Sequence, residues 1–271
     1  MILFDNVEHV YPSGVKALDG INLRIEEGEV VAIMGENGAG KTTLLKHLNG
    51  LLKPTRGKVI IDGKDTRDAT VAELSRKVGI VFQNAEDMFF SGSVWEETEF
   101  ALKNFGFGGD VISKRVEWAL RFMELWEYRN KSPFMLSGGE KKRLALAVIL
   151  AWSPDIIVLD EPTIGQDQLQ KEKMIEVIRL LNTQGKTVIL SSHDIEFVAE
   201  LKPRVILMRR GRIVGDGKAE DILTNMSLLE SCRLIPPQIV QLTSRLGFMG
   251  IGTKLASPEE VAKEIAERIR V

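Results

Sequence analysis

The sequence predicts an α/β domain with a largely parallel central sheet. Short apolar runs, Val30-Val31-Ala32-Ile33-Met34, Val59-Ile60-Ile61, Ile156-Ile157-Val158-Leu159 and Thr187-Val188-Ile189-Leu190, read as buried strands. Helical patterns lie between several of them, and strand alternating with helix is how parallel sheets are built. The chain has 271 residues, 44% hydrophobic and 27% charged, which fits a folded globular protein and excludes collagen-like, low-complexity and wholly disordered classes. That length accommodates one large domain, or a main domain with an appendage.

Taken in order, Ile2 to Val10 and Asn22 to Glu26 alternate apolar and polar residues, as an antiparallel sheet open to solvent on one face does. Gly57 to Asp62 is a candidate third strand, so two sheets are expected. Val94 to Leu125 reads as helical, interrupted at Gly106-Phe107-Gly108-Gly109, where glycines oppose helix. This marks an inserted helical subdomain over about 84–152. A strand over Arg204 to Met208 turns at Arg210-Gly211-Arg212, and the character changes near Ser227. In the tail, Ser257-Pro258-Glu259-Glu260 is a capping box with proline at the first helical position. It opens a helix expected to carry Val261, Ile265 and Ile269 on one apolar face. The division is therefore 1–226 for the main domain and 227–271 for a small C-terminal unit.

Lys and Arg number 36 against 38 Asp and Glu, a formal charge of −2, so global charge provides no grip on nucleic acid. The single cysteine, Cys232, cannot form an internal disulfide, and with no secretory pattern at the start a reducing, cytosolic setting is expected. The longest apolar stretch, Leu144 to Trp152, ends at Ser153-Pro154, far short of the roughly 20 residues that cross a bilayer. Work at a membrane would pass through a partner.

The sharpest chemical signal is Gly35-Glu36-Asn37-Gly38-Ala39-Gly40-Lys41-Thr42, which fits G-x-x-x-x-G-K-[ST] after a strand and before a helix continuing from Thr43. Glycines let the backbone wrap a phosphate chain with its N–H groups, and the helix N-terminus favours the same anion. Lys41 is expected at the β- and γ-phosphates of ATP, and Thr42 at Mg²⁺. The strand Ile156 to Leu159 runs into Asp160-Glu161. Two acids after a strand describe a solvated turn when taken alone. Beside the loop they describe a metal-shell carboxylate, Asp160, and a general base for the attacking water, Glu161.

Leu136-Ser137-Gly138-Gly139-Glu140 resembles the signature sequence of the ATP-binding-cassette (ABC) family, with Glu140 where Gln is commoner. The resemblance covers residues 1 to about 225. It implies an ABC-type P-loop nucleotide-binding domain with a parallel core sheet, an N-terminal antiparallel β-subdomain and an inserted helical subdomain; the small C-terminal extension lies beyond it, with dimerisation expected and regulation the alternative. It implies further that Ser137, Gly138 and Gly139 contact ATP held by a second ABC subunit, in a homodimer or a heterodimer. Tyr11 stands where the family stacks an aromatic on adenine. Gln83, ending a strand over Val78 to Phe82, matches the glutamine that senses metal and water. Asp167 closes the loop that crosses the dimer interface, and His193 matches the switch histidine at the γ-phosphate. Lys141-Lys142-Arg143, next to the signature, reads as a solvated helix face.

Gln83-Asn84-Ala85-Glu86-Asp87-Met88-Phe89-Phe90 resembles a segment of the ATPases of energy-coupling-factor importers, with Ala85 and Met88 departing from the pattern. There the segment faces the membrane subunits, making Glu86, Asp87, Met88, Phe89 and Phe90 coupling residues. Ordinary core packing is the alternative for the three apolar ones. The resemblance thus implies a peripheral ATPase at the cytoplasmic face of the membrane, driving uptake of a vitamin or transition-metal ion through integral membrane subunits. The competing readings are a conventional ABC importer and a soluble cassette acting on nucleic acid or ribosomes. A single cassette, one cysteine and no sustained heptads disfavour the last.

Overall fold

The computed structural model describes residues 1–269, so Arg270 and Val271, the end of the expected C-terminal unit, lie outside the described residues. Four strands, β1 (Ile2–Val10), β2 (Lys16–Ile25), β4 (Arg56–Ile61) and β5 (Lys64–Asp65), form an antiparallel sheet in the order β2-β1-β4-β5. Six others are β3 (Val30–Met34), β6 (Val78–Val81), β7 (Ile156–Asp160), β8 (Thr187–Ser192), β9 (Arg204–Arg209) and β10 (Arg212–Lys218). Their order is β10-β9-β3-β8-β7-β6, parallel throughout except for the edge strand β10. Both sheets are those expected. The strand before Gln83 stops at Val81, one residue short of Phe82.

The continuous apolar runs have a direct explanation, because the central strands are covered on both faces. Along β3, Val31 and Ile33 pack with Phe4, Leu18 and Leu45 between the sheets, while Ala32 and Met34 face the helices with Leu144 and Leu190. The same parity divides Ile189 from Val188 and Leu190 on β8, and Ile206 from Val205 and Leu207 on β9. Between the sheets lies α1 (Lys41–Leu48), burying Leu44, Leu45 and Leu48.

A short helix α2 (Val71–Ser75) precedes β6. Then α3 (Val94–Asn104), α4 (Gly109–Phe122) and α5 (Gly138–Trp152) form the inserted helical region, broken at the expected glycines. In the same apolar cluster as α5 lie α6 (Gln168–Thr183) and α7 (Ile195–Leu201), with α8 (Ala219–Thr224) after β10. The tail contains α9 (Met226–Ser231), α10 (Gln238–Arg245) and α11 (Pro258–Ile269). Leu229, Cys232, Val240 and Leu255 join the apolar cluster beneath the parallel sheet, so the tail is packed onto the main core. The Ser257 capping box forms, with Ser257 N–H on Glu260 and Glu260 N–H on Ser257 Oγ. The apolar face of α11 is only partly covered: Val261 is buried and Ile269 is exposed.

Candidate functional site

The loop from Gly35 to Gly40 joins β3 to α1. Gly35 has φ +152, and a Cβ there would lie 2.3 Å from the Met208 carbonyl oxygen; at Gly40, φ +104, it would lie 2.5 Å from that of Ala17. Only glycine permits these close backbone approaches. Lys41 folds back over the loop, its buried Nζ donating to Gly35 O at 2.8 Å and Glu36 O at 3.3 Å, and standing 3.5 Å from Glu161 Oε1.

Asp160 ends β7 and Glu161 begins the turn after it; both are 4% exposed. Thr42 Oγ1 donates to Asp160 Oδ2 at 2.8 Å, and Ser191 Oγ of β8 donates to its Oδ1 at 2.5 Å. Glu161 has a positive φ of 51, a conformation costing roughly 1–2 kcal/mol for a non-glycine residue. Ser191 holds it there, accepting the Glu161 N–H on Oγ at 2.9 Å and on its carbonyl at 3.2 Å. The strained turn aims the carboxylate inward, where Oε2 meets His193 Nδ1 at 2.8 Å and accepts the His193 N–H at 3.3 Å.

These groups share one cavity, lined by Tyr11, Asn37 to Thr43, Gln83, Glu161, Ile164 and His193. An adjoining cleft is lined by Thr42, Gln83 and Asp160 among others. Tyr11 stands at the cavity wall, its hydroxyl 3.0 Å from Thr43 Oγ1 and its ring edge-on to His9 with centroids 4.7 Å apart. Thr42, Gln83 and Asp160 offer only oxygen donors from their side-chain hydroxyl, amide and carboxylate, a chemistry that fits a hard cation such as Mg²⁺.

Other predicted residues lie elsewhere. Ser137, Gly138, Gly139 and Asp167 do not line the cavity of the phosphate loop. Ser137 caps α5, its N–H and Oγ both donating to Glu140 Oε2, at 2.7 and 2.8 Å, and those bonds hold the Glu140 carboxyl below the usual carboxylate range. Asp167 caps α6 by accepting the Gln170 N–H at 2.9 Å.

Two expectations need correction. Phe89 is not a surface residue: it is 7% exposed and packs in the helical core, with Met88 partly buried against it. Phe90 alone of the three stands open, 60% exposed, edge-on to the exposed Phe100 at 4.6 Å. The buried Glu97 fixes this presentation by accepting the N–H groups of Phe90 and Ser91, at 3.0 and 2.8 Å. Glu86 pairs with Lys141 Nζ at 2.5 Å, and Asp87 accepts from Asn84 Nδ2 at 3.0 Å.

The cation run Lys141-Lys142-Arg143 is not a solvated face either. Three consecutive helical residues fan over about 200° and cannot share one side. Lys142 reaches the Ile164 carbonyl in the loop after Glu161, and burial lowers its pKa; Arg143 Nε donates to Met123 O at 3.1 Å. Ser191, Glu97 and Lys142 are the residues that sequence reasoning missed. For Lys142 the helical spacing was a usable signal.

A family model described as ABC transporter matches residues 18–164, more than half of the chain. The chain belongs to the ABC transporter family. Its fold is that of an ABC ATPase cassette, a P-loop ATPase domain. The cassette is 42% identical over 252 residues to the energy-coupling factor transporter ATP-binding protein EcfA of Methanothermobacter thermautotrophicus, covering 92% of this chain and 81% of that protein. With the protein of the same name from Carboxydothermus hydrogenoformans it shares 40% over 261 residues, covering 96% of both. Some relatives are longer: it spans only 42% of an ABC transporter ATP-binding protein of Caldanaerobacter subterraneus, at 45% identity over 242 residues and 89% of this chain. Among solved structures, CbiO1 of Clostridium perfringens, part of the ABC transporter complex CbiONQ, superposes with a TM-score of 0.76 at 33% identity, covering 90% of this chain and 98% of that one. A dimeric ATP-binding cassette solved in a post-hydrolysis state with ADP and phosphate superposes at 0.75 and 35% identity, covering 81% and 99%.

Proposed function

We propose that this cassette is the ATP-hydrolysing subunit of an energy-coupling-factor importer, peripheral to the membrane and driving uptake of a vitamin or transition-metal ion through integral membrane subunits. The observation that carries the catalytic part is the convergence of Lys41, Glu161 and His193 at the ends of β3, β7 and β8. The likeness to EcfA proteins and to CbiO1 supports the transporter class. No helix among the described residues is long and apolar enough to cross a membrane.

In this reading the loop N–H groups and Lys41 bind the phosphates, and Tyr11 stacks on the adenine. Thr42, Asp160 and Gln83 would hold Mg²⁺, which supplies charge neutralisation at the terminal phosphates. Glu161 accepts the proton of the attacking water. His193, hydrogen-bonded to Glu161, orients that carboxylate and reaches the γ-phosphate. Ser137, Gly138 and Gly139 complete the site of a second subunit, with Asp167 at the interface between them. The C-terminal unit supports the pairing.

Glu161→Gln tests the chemistry. The amide keeps the shape but takes no proton, so ATP binding persists while phosphate release falls by about 10²-fold or more. Wild-type phosphate release from the purified variant would overturn the assignment. The transporter reading is tested by purifying the tagged chain from membranes: integral membrane subunits should accompany it, and recovery free of them would count against it.

A further inference from the structure

We propose that Arg233, in the C-terminal tail, is a positioning residue of the ATP site, acting through Glu36 of the phosphate loop. Arg233 Nη1 donates to Glu36 Oε2 at 3.1 Å, an ion pair joining segments 197 positions apart in the chain. Glu36 sits at a sensitive point. Its carbonyl accepts the Lys41 ammonium at 3.3 Å and the Ala39 N–H at 3.1 Å, so the peptide that Arg233 tethers is one that shapes the loop and holds Lys41.

The charge logic points the same way. A carboxylate in a loop that receives a triphosphate repels it, and an arginine paired to that carboxylate cancels the repulsion. The tail delivers the guanidinium from a fixed base. At the end of α9, the Arg233 N–H donates to Glu230 O at 2.9 Å and the Leu234 N–H to Leu229 O at 3.0 Å, the double bond of a Schellman cap. Arg233 itself takes the left-handed residue of that cap, φ +56, where glycine is the unstrained choice. Leu229 and Cys232, both fully buried, anchor the turn. A second tether joins the tail to the other side of the site: the Gln238 N–H donates at 2.8 Å to Glu196, three positions after His193.

The inference rests on the reading of the loop as the ATP site, and the test separates the two. ATP affinity and steady-state hydrolysis are measured for the full chain and for Arg233→Ala, Arg233→Lys, Glu36→Gln, the Glu36→Gln/Arg233→Ala double variant and Lys41→Ala. Because the arginine is exposed, Arg233→Ala should raise the Kd and KM for ATP by about two- to fivefold. The effect should fall on KM rather than on kcat, shrink as salt is added, and be largely rescued by lysine. In the Glu36→Gln background the Arg233→Ala change should have no further effect. An unchanged KM in Arg233→Ala, or an equal loss with and without the Glu36 carboxylate, would overturn the proposal. Retained ATP affinity in Lys41→Ala would instead sink the loop assignment itself.

Discussion

Phe89 and Phe90 are neighbours in sequence and opposites in environment, so the same substitution should act on different quantities at the two positions. Phe90 is 60% exposed. Full burial of a phenylalanine side chain is worth about 1.5–3 kcal/mol, so a partner covering the remaining surface gains about 1–2 kcal/mol from Phe90 alone. Phe90→Ala should then weaken docking to the membrane subunits by about 5- to 30-fold. Phe90→Asp should abolish it, since the interface would bury an unpaired carboxylate. Neither change touches the core, and melting temperature and basal ATPase activity should hold. Phe89 is 7% exposed, and truncating a buried phenylalanine to alanine costs about 3–5 kcal/mol. For a chain of this size that lowers the melting temperature by about 10 °C, and activity falls with the folded fraction. Thermal melts, ATPase rates and co-purification of membrane subunits are read in parallel for Phe89→Ala, Phe90→Ala and Phe90→Asp. A Phe90→Asp protein that melts early, or that retains its membrane partners, would refute the docking surface.

The trans role of Ser137 is tested by mixing: Ser137→Arg and Lys41→Ala chains should each be inactive, while their mixed dimer holds one composite site intact and regains activity. No rescue in demonstrated mixed dimers would oppose it. A pH dependence follows from His47, which burial behind the nucleotide pocket lowers from 6.5 to about 4. Its folded pKa lies below its unfolded one, so the unfolded chain binds the extra proton between those values and stability falls as pH drops through them. The loss should total about 3 kcal/mol on going from pH 7 to pH 4, read by urea unfolding. His47→Gln should flatten that slope, and parallel profiles for variant and wild type would exclude His47 as its source.

Much of this arrangement was legible in the sequence because its signals are local. The apolar runs of β3, β7 and β8 are buried on both faces and cannot be read as anything half-exposed. The loop motif brings its own glycines, and Asp160-Glu161 is adjacent to the strand that places it. What stayed hidden depends on long-range contact. Ser191, which holds Asp160 and the strained Glu161, lies some 30 positions away, and nothing about a serine at the end of a strand announces that task. Whether Phe89 or Phe90 faces inward is decided by the direction of a short 3-10 turn, where no period of two or of 3.6 applies. Lys142 was misread for a different reason. A run of cations suggests solvent, but the helix rotates successive residues to different sides, and this one is turned toward the loop after Glu161.

The separation of the two helix ends bears on the proposed second subunit more directly than any single contact. At α1, the loop, Lys41, Glu161 and His193 line one cavity. At α5, Ser137 caps a fifteen-residue helix, with Ser137 and Gly138 exposed at its start, and its hydroxyl is engaged by Glu140 of the first turn. A helix N-terminus attracts an anion, yet the Glu140 carboxylate already satisfies two of the groups there. A γ-phosphate arriving from a facing subunit would therefore compete with Glu140 for the Ser137 hydroxyl. In the proposed dimer, closure then depends on the terminal phosphate offering more than the capping carboxylate does, so that loss of that phosphate on hydrolysis returns Ser137 to Glu140 and favours reopening.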